Sequence, residues 1–270
     1  MPEPRADDPT QRFGARAGAY ARARPGYPDA AVSALAQALQ LPQGALIVDL
    51  GCGTGLSSEA FLRAGFAVIG VEPNQAMRQH AADSLAARCG FRVVDGRAEA
   101  TTLAAASADL LIAAQAFHWF DVRGARAEAL RILRRPPLAA LLWNDRCAEG
   151  SEFARGYEAL LLRFSSDYAE VQHRHARPDR LERFFGHDRW HTIGVAHGTP
   201  LDFETLADRL NSASYAPAPG DPRHAPMMQG LRELFEATAR DGVVRMEFET
   251  RIHYGELEPE PDARAAKLIS

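Results

Sequence analysis

At 270 residues the chain suits one α/β domain with an elaborated cap and leaves little room for a second full domain. Its 46% hydrophobic and 24% charged residues lie in the ordinary globular range, and a net charge of -4 gives no global attraction to phosphates, so nucleic acid is not expected as a partner. Three widely spaced cysteines (Cys52, Cys89 and Cys147) make no CxxC pair, residues 1–10 hold no apolar signal core, and no apolar run nears the ~20 residues that span a bilayer. A cytoplasmic protein with no disulfide framework, no zinc site and no membrane partner is therefore expected.

In chain order, residues 1–30 are rich in Arg, Ala and Pro and read as a short helix and a turn lying over a site. Five short apolar runs follow between 45 and 144: ALIVDL, FAVIGVE, FRVVDG, ADLLIAA and LAALLWN. Continuous apolarity marks strands buried on both faces, since a one-sided sheet would alternate. The segments between them, Ser57 to Ala64, Asn74 to Arg88 and Val122 to Leu133, favour crossover helices. Pro136-Pro137, before the fifth run, suits a turn. Beyond Asn144 the pattern changes to helices near 151–168, 203–211 and 226–240, with the Pro/Gly-rich APAPGDP between the last two. GVVRMEFETRIHYG alternates and suits an edge or antiparallel strand. The prediction is a doubly wound α/β sheet of about seven strands, mostly parallel with an antiparallel last strand, in a single domain spanning 1–270. Its binding core is 30–145, and 145–240 forms a helical cap whose segment from about 200 to 235 covers a substrate pocket.

The first strand runs straight into Gly51, Gly53 and Gly55, and a helix follows. Glycine permits positive φ and bare-backbone contact, while the helix start offers free N–H groups, so a ligand is expected there. Glu72 closes the second strand, where a carboxylate can accept both hydroxyls of a ribose. A dinucleotide fingerprint would need a glycine where Leu56 stands, so the G-x-G-x-G spacing favours a ligand without a pyrophosphate.

VDLGCGTG, VIGVEPNQAM, DGRAEATTL, AQAFHWFD and the trailing EALRILRR with LAALLWN resemble the class I S-adenosylmethionine-dependent methyltransferases. YARARPGYP and AQAFHWF are similar to the trans-aconitate methyltransferase-like branch. The resemblance covers residues 13 to 145 and implies a Rossmann-like fold with S-adenosyl-L-methionine as cofactor. It implies that Asp49 and Gly51, Cys52, Gly53 and Gly55 hold the methionine end and Glu72 the ribose. Asn74 and Met77 would border ribose and adenine, with Arg97, Ala98 and Glu99 along the adenine edge. Many relatives carry an acid at the position of Arg97; an arginine cannot accept a bond from the adenine amino group, which leaves it stacking or backbone contact.

Gln115, His118, Trp119 and Phe120 follow the fourth strand, where relatives present groups to donor and acceptor. Trp119 and Phe120 read either as core packing or as pocket walls that could face a sulfonium. His118 reads either as a base for a hydroxyl or amine, or as a histidine satisfied by backbone. Tyr20, Arg24 and Tyr27 could cover the cofactor or pair with a carboxylate, and Ser212, Ser214 and Tyr215 would select the substrate from the cap. The remaining histidines show no HExxH-type pattern, so no metal is expected. Methyl transfer to a small molecule, with a carboxylate as one acceptor, is the leading reading. A nicotinamide oxidoreductase and a cofactor-binding protein without turnover share the same features. Sequence leaves the oligomeric state open.

Overall fold

The structure is a computed structural model that describes residues 25–165, 168, 177–213 and 215–259. Tyr20, Arg24 and Ser214 lie outside the described residues.

A seven-stranded sheet runs in the order β3-β2-β1-β4-β5-β7-β6. The strands are β1 (Leu46–Leu50), β2 (Ala67–Val71), β3 (Phe91–Val94), β4 (Ala108–Ala114), β5 (Leu133–Arg146), β6 (His191–Leu201) and β7 (Val244–Glu256). The first five are mutually parallel, and β7 pairs antiparallel with both β5 and β6. The apolar runs are the parallel strands, and β1, β2, β4 and the second half of β5 are apolar because both faces are covered, whereas the edge strand β3 is only partly buried. Val48, Leu50, Leu111 and Trp143 point to one face, against α4 (Val122–Ile132) and α6 (Pro178–Phe185). Ile47, Leu110, Ile112 and Leu142 point to the other, against α1 (Asp29–Ala38) and α2 (Leu56–Arg63). Between β2 and β3 runs α3 (Gln75–Ser84), whose N-cap Asn74 accepts the Met77 N–H at 3.0 Å.

A third, smaller core joins α5 (Glu152–Phe164), α7 (Phe203–Ser212) and α8 (His224–Thr238) to the start of β7 through Phe153, Leu161, Leu206, Leu210, Leu231 and Met246. This is the helical cap expected beyond 145. No helix among the described residues is long and apolar enough to cross a membrane.

Three features depart from expectation. Pro136 and Pro137 do not form a turn: Arg135–Pro136 is a cis bond inside β5, where the pairing with β4 shifts register between Ala108 and Leu110. A proline lacks the N–H needed for a regular ladder, so the irregularity is where the pair fits. The strand at 191–201 and the helix at 178–185 carry little sequence signal. HTIGVAHGTPL mixes two glycines and a proline into an edge strand that buries only Leu201, and PDRLERFF buries only Leu181, Phe184 and Phe185.

Candidate active site

Strand order reverses between β1 and β4, and their C-terminal ends open a crevice at that switch point. A cavity of about 230 Å³ occupies it. Its floor is the loop after β1. Gly51, Gly53 and Gly55 all have positive φ, at 65°, 56° and 90°. A Cβ on Gly51 would sit 2.8 Å from the Ala116 Cβ, whereas one on Gly53 would meet nothing nearer than the Met77 sulfur at 3.9 Å. Gly53 is therefore bare on the side that faces the cavity.

Glu72 ends β2 with 6% of its surface exposed. Its Oε2 accepts the Gly53 N–H at 2.9 Å and its Oε1 the Asn74 N–H at 2.8 Å. Burial raises its pKa above the usual carboxylate value, an effect opposed by those two bonds and by the nearby Arg78. Arg78 Nη1 also donates to the Glu72 carbonyl at 2.7 Å and to Asp95 at 3.3 Å, fastening the ends of β2 and β3 together.

Asp49 does not line the cavity. It is fully buried behind the loop, where its Oδ2 accepts the hydroxyls of Ser57 and Ser58 at 2.6 and 2.7 Å and its Oδ1 has no hydrogen-bond partner. Burial pushes its pKa up to about 6, with the serine bonds opposing the shift. Cys52 lines the cavity, with a thiol pKa driven upward by burial and by the Asp49 and Glu72 charges.

Asn74, Met77, Arg97, Ala98 and Glu99 are brought together on one wall. Arg97 Nε lies 3.7 Å from Glu99 Oε2, and Glu99 Oε1 accepts the Asp121 N–H at 2.9 Å, tying this wall to the start of α4. Gln115, at φ 56°, stands opposite and donates through Nε2 to the Asn144 carbonyl at 3.2 Å. Trp119 and Phe120 also line the cavity, Trp119 with 44% of its surface exposed. Tyr27 is a buried wall residue, held over the site because Asn144 Nδ2 donates to the carbonyls of Pro25 and Gly26 at 3.3 and 3.2 Å.

Besides Asp49, three further sequence candidates fall outside the cavity wall. His118 sits in the short turn Phe117–Trp119 but is not a wall residue; its ring packs on Trp119 with centroids 4.7 Å apart. Ser212 donates to the Arg209 carbonyl at 2.8 Å, and Tyr215 packs edge-on against Tyr168 at 5.0 Å. Neither lines the cavity, and no described residue of 200–235 does so. Those helices spend their apolar faces on the third core instead.

Sequence reasoning passed over Asn144 and Phe248, which close the far end of the cavity. Asn144 ends a buried apolar strand with a polar side chain, the same signal that marked Glu72. Phe248 belongs to the alternating strand β7 and carried no such mark. Among the described residues no three His, Cys, Asp or Glu side chains gather into a group able to hold a metal ion.

The family described as Methyltransferase domain matches residues 48–136, from within β1 to the start of β5. That match covers about a third of the chain. An uncharacterised methyltransferase of Mycobacterium tuberculosis is 37% identical over 141 residues, 52% of this chain and 54% of its own length. A methyltransferase-like protein of Schizosaccharomyces pombe is 30% identical over 132 residues, 47% of this chain and 49% of its own. The chain thus spans about half the length of the curated relatives it matches. Among solved structures, a candidate type II methyltransferase from Anaeromyxobacter dehalogenans shares the fold at a TM-score of 0.64, with 24% identity over 88% of this chain and 99% of that one. The matched segment holds the glycine loop, Glu72 and the wall from Arg97 to Phe120. None of these three relatives is described by a substrate.

Proposed function

We propose that the chain transfers a methyl group from S-adenosyl-L-methionine to a small molecule, with a carboxylate oxygen as the acceptor. One observation carries the cofactor assignment: Glu72, buried at the end of β2, is pinned by the Gly53 and Asn74 N–H groups beside a glycine with an open face. A carboxylate fixed there suits a ribose diol. Gly51 to Gly55 would take the methionine end, Asn74 and Met77 the ribose and adenine border, and Ala98 and Glu99 the adenine edge. Asp49 would act from behind, fixing the first turn of α2 through Ser57 and Ser58. A nicotinamide dinucleotide fits less well, because Leu56 lines the cavity where the extra glycine would let a pyrophosphate approach.

When bound, S-adenosyl-L-methionine supplies a sulfonium-activated methyl group, which an acceptor lone pair takes in line with the breaking sulfur–carbon bond. The protein's task is to align that lone pair and keep water out. Trp119, Phe120, Tyr27 and Phe248 would wall the acceptor space, and Asn144 holds the Pro25–Tyr27 segment across it. The described wall offers no histidine or lysine, and its two carboxylates, Glu72 and Glu99, are tied to backbone N–H groups. An acceptor that is already anionic needs no base, which supports a carboxylate.

Calorimetry tests the reading. S-adenosylmethionine and S-adenosylhomocysteine should each bind 1:1, and Glu72→Ala should weaken both by about 1 to 3 kcal/mol, the range for losing a charge-assisted hydrogen bond. Binding of a nicotinamide dinucleotide with no heat from either compound would overturn it.

A further inference from the structure

Strand β7 carries a threonine whose hydroxyl is committed to the cavity wall. Thr250 is wholly buried and stands directly opposite Asn144 in the β5–β7 ladder. Its hydroxyl oxygen lies 2.6 Å from Asn144 Oδ1 and 3.0 Å from His197 Nε2. A hydroxyl has a single hydrogen and an amide oxygen only accepts, so Thr250 donates to Asn144 and accepts from the Nε2–H of His197. The imidazole is steadied in turn, because it stacks on the wall residue Phe248 with centroids 5.5 Å apart.

The other end of the Asn144 amide meets the segment that closes this side of the cavity. Nδ2 donates to the carbonyls of Pro25 and Gly26, which lead straight into the buried wall residue Tyr27. Downstream the segment has a separate anchor on α2: Arg63 Nη2 donates to the Tyr27 carbonyl at 3.2 Å and pairs with Asp29 at 2.8 Å. An asparagine amide has donors on one side and an acceptor on the other, so reversing it would set its oxygen against two carbonyl oxygens. Asn144 is only partly buried, and an Oδ1 deprived of the hydroxyl would turn toward water and take both carbonyl bonds with it. The sheet itself does not need the side-chain bond, since main-chain pairing already joins β5 and β7 from Leu138 to Arg146. A valine would fill the same space and suit the strand as well, so what the threonine adds is the hydroxyl.

We infer that Thr250 is a positioning residue: its hydroxyl, oriented by His197, sets the Asn144 amide so that it draws the Pro25–Tyr27 segment over the cavity and governs how tightly the site closes on its ligand. The inference rests on the proposed function in taking this cavity as the cofactor site, but closure is measurable without any ligand.

The test is amide hydrogen exchange on the full chain without ligand, followed by calorimetry with S-adenosylhomocysteine. Thr250→Val keeps the shape and removes the hydroxyl. It should speed exchange between Gly26 and Val32 by about five- to fiftyfold beyond any change in β1, whose exchange reports global unfolding, and should weaken S-adenosylhomocysteine by about three- to thirtyfold. Thr250→Ser keeps the hydroxyl and should recover most of both. Asn144→Asp still accepts from Thr250 but has no hydrogens for Pro25 and Gly26, so it should open the segment by itself, and adding Thr250→Val should change little more. Thr250→Ala supplies the same comparison if the valine variant does not fold. Unchanged exchange in the segment, a serine variant that behaves like the valine one, or additive effects in the double variant would overturn the inference. Failure of S-adenosylhomocysteine to bind the wild type would instead refute the cofactor assignment, and exchange on the unloaded protein would still decide the role of Thr250.

Discussion

Glu72 accepts the Gly53 N–H at 2.9 Å, so the end of β2 and the loop after β1 form one unit whose two halves come from residues 19 apart in sequence. The bond orients the carboxylate and the glycine face together. Two neighbouring glycines in that loop serve different ends, and substitution should separate them.

Gly51→Ala would drive a Cβ to 2.8 Å from the Ala116 Cβ at a φ of 65°, so both strain and overpacking act on the fold. Together they should cost about 2 to 5 kcal/mol. Gly53→Ala carries a similar φ of 56° but meets nothing closer than 3.9 Å, so only the backbone cost of about 1 to 2 kcal/mol applies. Its new methyl would stand where the cofactor backbone contact belongs. Chemical denaturation should therefore rank Gly51→Ala as the less stable protein, while calorimetry should show Gly53→Ala losing affinity for S-adenosylhomocysteine out of proportion to its stability. Equal behaviour in both assays would remove the distinction.

Asp49 predicts a pH dependence whose sign follows from its burial. An unfolded aspartate ionises near 3.8, whereas the folded one holds its proton to about 6 because burial disfavours the charge. Between those values the folded state binds more protons than the unfolded, so this group's contribution to stability falls as pH rises from about 4 to about 6 and is flat above. The full difference is roughly 3 kcal/mol. Asp49→Asn keeps the shape and lacks the limb, so the stability gap between variant and wild type should move in the variant's favour over that range. Urea titrations at pH 4.5, 5.5 and 7 measure it, and parallel curves would count against a buried, uncompensated carboxylate.

How much of this could be read from sequence depends on how each residue is recruited. The central parallel strands were legible because burial on both faces demands unbroken apolar runs, as in LIVDL and ADLLIAA. The glycine-loop side of the cavity was legible because a positive-φ loop demands glycine and a strand-end carboxylate such as Glu72 interrupts an apolar pattern. The opposite side was not. Phe248 becomes a wall only through the pairing of β7 with β5, and Tyr215 and Ser212 were expected there because they sit in the cap, whose packing turns them away. Ser57 and Ser58 left a signal that went unread: two hydroxyls in the first helical turn after a strand-end aspartate. His118 is a case of another kind: a titratable side chain after β4 invites a catalytic role, and whether it lines the cavity depends on turn geometry that residue type does not encode.

That histidine carries the last prediction. His118 lies in the turn between β4 and α4, half-buried, with its ring against the wall residue Trp119 and itself not among the described residues that line the cavity. A general base must come within hydrogen-bond reach of the proton it takes, and such a base typically contributes 10²- to 10⁴-fold to the rate. His118→Gln should therefore keep S-adenosylhomocysteine affinity and lose far less than ~10²-fold in turnover, the residual effect coming from a slightly displaced Trp119. The wild-type rate on a carboxylate acceptor should show no limb that disappears in the variant. A pH-rate profile of both proteins, on whichever acceptor a screen of small acids, phenols and amines reveals, makes the comparison. A turnover loss of ~10²-fold or more with intact cofactor binding, together with disappearance of a histidine-like limb, would place His118 in the chemistry and displace the carboxylate reading in favour of a hydroxyl or amine acceptor.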